Sequence, residues 1–214
     1  VKGEEVVVKE AGTKLEDQTV TGNLVVDEAV NTGDVTVKNS TIKGDLVVKG
    51  GGTIYLENVT VEGKIIVEKK DAKVQLGGKT SVSDVTVNAV CTLTASSEFD
   101  GKVCTVTIAK ELVTDSSVVV KVPTGKINID KKASVDVQKD AGTVTVAKDA
   151  AESKVYVASG VKVDKVVTNG KTSITGSGKV EELEVNVDGV TVGSNLKVDK
   201  TVVADGVKKP ETSS

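Results

Sequence analysis

GDVTVKNSTIKGDLVV at positions 33–48 and GTIYLENVTVEGKIIV at 52–67 are two copies of one frame, starting 19 residues apart. Both run apolar-x-apolar, a charged residue, Asn, then Thr, an apolar residue, a glycine and an apolar triplet. An earlier half-copy, TVTGNLVV at 19–26, matches the second half of each. Followed along the chain, the first members of the triplet fall at Val6, Leu24, Leu46, Ile65, Val85, Val106, Ile127, Val144, Val166, Leu183 and Val202, a mean step of about 20 residues. A second row, Val35, Ile54, Val74, Cys91, Val119, Val135, Val155 and Val190 with Ile174 as a weaker member, interleaves with it. A third row, Val20, Ile42, Val61 and Val82, precedes the glycines.

Each segment alternates apolar and polar for only a few residues, so one face is buried and the other is wet. A sandwich also has short alternating strands, but nothing in it holds a 20-residue register along the chain. Three such segments per repeat describe one coil of an all-β, right-handed parallel β-helix, a β-solenoid of roughly ten to eleven coils; the hand follows from the strong bias of parallel crossovers. The whole chain, 1–214, reads as one solenoid domain, with 1–10 as the first edge strand and 208–214 as a C-terminal tail. Glycines 22, 44, 63, 125 and 142 sit two residues before a triplet, where a corner calls for positive φ. Asn39 and Asn58 are placed to stack at another corner. Around 101–108 and 110–123 the spacing loosens, and the pattern leaves open whether Val103 or Cys104 points inward; a bulge or longer corner is expected there.

Composition agrees with this geometry. The only aromatic residues are Tyr55, Phe99 and Tyr156, and His, Met, Trp and Arg are absent. A narrow interior of stacked coils takes Val and Ile repeatedly and has no room for repeated rings. The 28 basic residues, all lysine, and 31 acidic ones are scattered, with a net charge of −3. Such mixing reads as a solvated surface, and with no basic block and almost no stacking rings it disfavours nucleic acid. No apolar run is long enough to enter a membrane as a spanning helix. Cys91 and Cys104 are read as two small buried side chains or as one bridge.

The segments GDVTVKN, TIKGDLVVKGGG, IYLENVTVEGKIIV and SVSDVTVN resemble the Val-rich β-helical regions of secreted, surface-layer-associated proteins of Gram-positive bacteria. The resemblance covers 22–88 closely and the remainder by rhythm. It implies an extracellular or cell-surface location with a scaffold or adhesive role, and it supplies no catalytic residue. A start at Val1 without Met or signal peptide fits a mature exported chain.

Catalytic, cofactor and metal sites are not expected. Polysaccharide lyases and hydrolases need a strong base or convergent carboxylates, and Asp45, Glu57, Glu62, Asp84 and Asp164 are spread singly. Glu181, Glu182 and Glu184 form the densest group but sit beside Lys179 as surface charge. TGSGK, at 175–179, lacks the strand–loop–helix context of a phosphate loop. Tyr55 and Tyr156 read as isolated, outward-facing rings rather than a sugar-stacking platform.

Interest therefore turns to the sheet edges, since no capping helix is evident at either end and ladder pairing is expected to stop by Pro210. The middle residues of the early triplets, Val25, Val47 and Ile66, form an apolar outer stripe, while later equivalents are mostly polar. With Val6, Val7, Val8, Val202 and Val203 they make up the expected assembly interface. Two functions follow: a non-enzymatic subunit that stacks head to tail on itself into a filament, or a stalk or adhesive module of a larger surface protein, with cell-wall polysaccharide as a second candidate partner.

Overall fold

In the computed structural model, which describes residues 3–213, the chain is a parallel β-solenoid of about eleven coils, each about 20 residues long. It divides into two compact units, 1–104 and 105–214, and the strand Val103–Ile108 carries the chain from one to the other.

In the first unit one sheet is built from Val6–Val8, Leu24–Val26, Leu46–Val48, Thr60–Val67 and Ser81–Val87. The other sheet contains Lys14–Glu16, Val35–Lys38, Thr53–Glu57, Lys73–Gly77 and Thr92–Ala95. Every pairing is parallel and joins one coil to the next, as in Val6↔Leu24↔Leu46↔Ile65↔Val85 and Val35↔Ile54↔Val74↔Leu93. These inward rows are buried throughout their length, apart from half-buried Val6 at the edge. The third row joins the first sheet. Its members Val20 and Ile42 lie in separate two-residue strands, Thr19–Val20 and Thr41–Ile42, and from Thr60–Val67 onward row and triplet share one strand.

The second unit repeats the arrangement with Thr124–Ile129, Ala141–Val146, Lys162–Thr168, Lys179–Val185 and Lys197–Val203 in one sheet. Its other sheet holds Val118–Lys121, Ser134–Val137, Ser153–Val157, Thr172–Gly176, Thr191–Gly193 and Glu211–Ser213. The inner rows are Ile127↔Val144↔Val166↔Leu183↔Thr201 and Val118↔Val135↔Val155↔Ile174↔Val192↔Thr212.

Five expectations are corrected by this register. Val118, not Val119, occupies the inner row, and Val119 faces outward beside Asp136. Thr201, not Val202, pairs with Leu183, so Val202 is the outward middle residue and Val203 continues the inner position of Val185. Because the side-chain period is two, a one-residue slip exchanges the faces, and a run of valines satisfies either choice. Leu93 and Val192, not Cys91 and Val190, enter the second-row ladder. Cys91 and Val190 are buried two residues earlier, at the corner, as Ala72 and Ala133 are in other coils, whereas Ser153 and Thr172 at the same spacing open their strands. Pro210 does not end the pairing, because Glu211–Ser213 beyond it adds to Thr191–Gly193, the Glu211 N–H donating to the Val190 carbonyl at 3.1 Å.

The fifth correction concerns the corner glycines. Gly22, Gly44, Gly63, Gly125 and Gly142 are not among the positive-φ residues. They stack: the Gly44 N–H donates to the Gly22 carbonyl and the Gly63 N–H to the Gly44 carbonyl, each at 3.0 Å. A Cβ on Gly44 would stand 2.6 Å from the Gly22 carbonyl oxygen. Backbone of the preceding coil fills the place of a side chain, so close approach and not torsion demands glycine here. Where Ser83 follows in the next coil, the register shifts between Val82 and Asp84.

Positive φ lies at other corners. Asp17, Asn39, Asn58 and Gly78 each follow a second-sheet strand and have φ between 50° and 57°. Asx residues reach this region more readily than other side chains, and glycine does so freely. The Asn58 amide donates to Asn39 Oδ1 at 3.2 Å, which is the expected stack. Val103 is buried and Cys104 exposed, which settles the direction left open by the sequence. The longer corner expected at 110–123 is an irregular excursion over 109–117, with Val113 exposed.

Replacing Ile54 with Asp puts an unpaired carboxylate into a dry ladder and is expected to cost more than about 4 kcal/mol, against less than about 1 kcal/mol for the outward-facing Thr36→Asp. Chemical denaturation compares the two, and equal losses would overturn the register.

Candidate functional site

Polar groups at the corners are satisfied by the neighbouring coil. The Asp45 N–H donates to Asn23 Oδ1 at 2.8 Å, and the Lys64 N–H donates to Asp45 Oδ1 at 2.9 Å. Lys79 N–H to Asn58 Oδ1, Lys162 N–H to Asp140 Oδ1 and Lys208 N–H to Asp188 Oδ1 repeat the contact at 2.8–2.9 Å. These five Asx side chains thus close corners, since a backbone donor turned away from the ladder needs an acceptor.

The densest carboxylate group lies on the outer face of the second unit. Glu182 is paired in register with Lys165 on one side and Lys200 on the other. Its carboxylate receives their ammonium groups at 3.3 and 3.4 Å, and Lys165 also reaches Glu184 at 3.7 Å. Beside this row Lys162 meets Asp164 at 3.5 Å and Glu181 at 3.8 Å, while Lys179 meets Asp199 at 3.1 Å. The hydrogen bond from Lys165, then that from Lys200, holds the Glu182 carboxyl below its ordinary range. The same hydrogen bond raises Lys165, and Glu181 followed by Asp164 raises Lys162. Among the described residues no three cysteine or carboxylate side chains converge as metal ligands, and no helix is long and apolar enough to cross a membrane.

The two cysteines are separate and free. Burial pushes the Cys91 thiol up to about 12, which leaves it inert as a small core side chain. Tyr156 faces outward and is exposed. Tyr55 is half-buried in a cleft of about 280 Å³ with Gln75, Gly78 and Glu98, a feature the sequence reading missed because its walls come from three coils.

The expected interface residues fall into two groups. Val7, Val25, Val47 and Ile66 form one continuous outward row. Val25 is buried and Val47 and Ile66 are half-buried, each shielded by the row members above and below, whereas Val7 at the edge is 41% exposed. Val6 and Val8 face inward beside it, half-buried and buried. In the second unit Val202 is 39% exposed in the outward row, and Val203 is half-buried on the inner one. Among the described residues, both Val6–Val8 and Lys197–Val203 pair on one side only.

The Glu182 shift has a definite sign. Its lowered folded pKa means that its stabilisation is present above the unfolded value of about 4.3 and is lost as pH falls through the folded value. Carboxyl NMR titration should find Glu182 below the ordinary range, moving back toward it in Lys165→Met and in about 1 M salt, where screening acts within about 3 Å. A value that moves in neither case would show that the lysines are not the cause. Comparison of the chain with protein-family models, with curated proteins and with solved structures gives no match.

Proposed function

We propose that this chain is a non-enzymatic, extracellular structural protein whose solenoid coils continue from one copy to the next, head to tail, in a filament. The observation that carries the reading is the pair of strands Val6–Val8 and Lys197–Val203, each paired on one side only among the described residues, in sheets whose coils pair in parallel within each unit. An unpaired parallel edge offers a row of backbone donors and acceptors, and the surface that matches it best is another coil of the same design. A contact between unlike ends does not close on itself, so it propagates.

The non-enzymatic part is supported by the use of the polar residues. Asx side chains close corners, and the Glu181–Glu182–Glu184 cluster is matched by lysines on an open face. Location at the cell surface is supported by the resemblance of residues 22–88 to secreted surface proteins. The cleft at Tyr55, with Gln75 and Glu98, favours a second reading, a stalk module of a larger surface protein that holds polysaccharide.

Sedimentation and electron microscopy across a concentration series separate the two. A filament subunit gives particles that lengthen with concentration. A single species at the highest concentration would reject the filament and favour the stalk. Incubation with pectins and other acidic polysaccharides, with and without Ca²⁺, is expected to yield no cleavage; turnover lost on changing one carboxylate would overturn the non-enzymatic reading.

A further inference from the structure

The outer row before the triplet runs Lys126, Thr143, Lys165, Glu182 and Lys200 in the second unit, and its last three members alternate in charge. Lys165, Glu182 and Lys200 stand at one register position in successive coils, each ammonium within 3.4 Å of the Glu182 carboxylate. Lys200 is the last member and is exposed. In the first unit the residue at the equivalent position of the edge coil, immediately before Val6, is Glu5, also exposed. Two residues further on at each edge stand Val202 and Val7, which are 39% and 41% exposed. One edge thus carries Lys-x-Val outward and the other Glu-x-Val.

We propose that the strand Lys197–Val203 of one copy pairs in parallel with Val6–Val8 of a second copy in the register that sets Lys200 beside Glu5 and Val202 on Val7. This rests on the end-to-end reading above and specifies its junction. Parity removes the odd registers: Thr201 and Val203 continue the inner face of Leu183 and Val185, and Val6 and Val8 continue that of Leu24 and Val26. A one-residue slip would turn one set outward. Of the even registers, one slip sets Val202 on Glu5 and Asp205 against Val8, and the opposite slip sets Lys200 on Val7 and Val202 on Lys9.

Only the in-step register places apolar on apolar and ammonium beside carboxylate. It extends Lys165–Glu182–Lys200 by a fourth alternating member, and cross-strand opposite charges favour pairing while like charges oppose it. The same register brings Glu4 toward Asp199, whose carboxylate is already held by Lys179 at 3.1 Å. In the second sheet the same one-coil step sets Ser213 beside Lys14, a neighbour without like charge.

The test uses the whole chain and two variants, Lys200→Glu and Glu5→Lys, followed by light scattering and microscopy. Each variant alone meets its own kind with like charges and should raise the concentration needed for assembly about tenfold. An equimolar mixture of the two restores opposite charges at every alternating junction, and should assemble near the wild-type concentration. The mixture distinguishes a junction effect from poor folding, since misfolded variants do not rescue each other. Val7→Asp, which places a carboxylate on Val202, should also suppress assembly. Wild-type filaments with variants that assemble equally well, or a mixture without rescue, overturn this register and leave the end-to-end reading standing. A wild-type chain that stays monomeric overturns both.

Discussion

Every feature of this chain answers to the parallel ladder between coils. Once a coil pairs with the next at about 4.8 Å, each residue acquires its counterpart above and below as permanent neighbours. An inner position must then hold a side chain that packs on its own kind. Val, Ile and Leu meet this condition through Leu24, Leu46 and Ile65, or Ile54, Val74 and Leu93, where a repeated ring would force the coils apart. Stacking also fixes glycine in the notch column Gly22–Gly44–Gly63, because a coil that brings its backbone over the previous carbonyl leaves no volume for a Cβ.

Corners are the weak points of such a ladder. There the chain leaves one sheet for the other and an N–H turns away from the carbonyl that would have received it. The remedy is local and repeated: an Asx oxygen of one coil accepts from the backbone of the next, as at Asn23, Asp45, Asn58, Asp140 and Asp188. The left-handed corner of the first unit uses the same residue class for its torsion, with Asn39 and Asn58. Asn169 and Asn186 form a second amide stack at 2.9 Å in the other unit. Asn58 serves torsion and hydrogen bonding together, while Asn23, Asp45, Asp140 and Asp188 serve hydrogen bonding alone.

The architecture and most of the inner rows were legible because alternation is clear where apolar residues are separated by polar ones, as in Val35-Thr36-Val37 or Ile54-Tyr55-Leu56. It failed where the alternation disappears. In Val118–Val120 three successive valines satisfy either face, and the inner residues are Val118 and Val120. In Thr201–Val203 the first of the two inner residues is a threonine, close to valine in shape but polar in any hydropathy reading. Cys91 and Val190 misled for another reason: a corner buries one residue before its strand begins, so burial and ladder membership separate. The glycine column was visible, but its cause was not, since a glycine needed for φ and one needed for space are written identically. At the candidate interface the residue types were readable, whereas the pairing of Lys200 with Glu182 required the register.

Charge shows what the ladder demands of a surface. In parallel stacking, identical positions face each other, so a repeat copied without change would pile like charges about 4.8 Å apart along the whole sheet. Two devices answer this. The outward middle row of the first unit is uncharged, Val7, Val25, Val47, Ile66 and Thr86, and so is free of repulsion. The row before the triplet alternates over part of its length, with Asp45, Lys64 and Asp84 in the first unit and Lys165, Glu182 and Lys200 in the second. Exposed pairs of this kind contribute little stability one at a time. Their weight lies in discrimination, because a slip of one coil or of two residues replaces attraction with repulsion or sets an ammonium on a valine. A backbone ladder alone would accept any of these registers, and alternating charge is what makes one of them preferred.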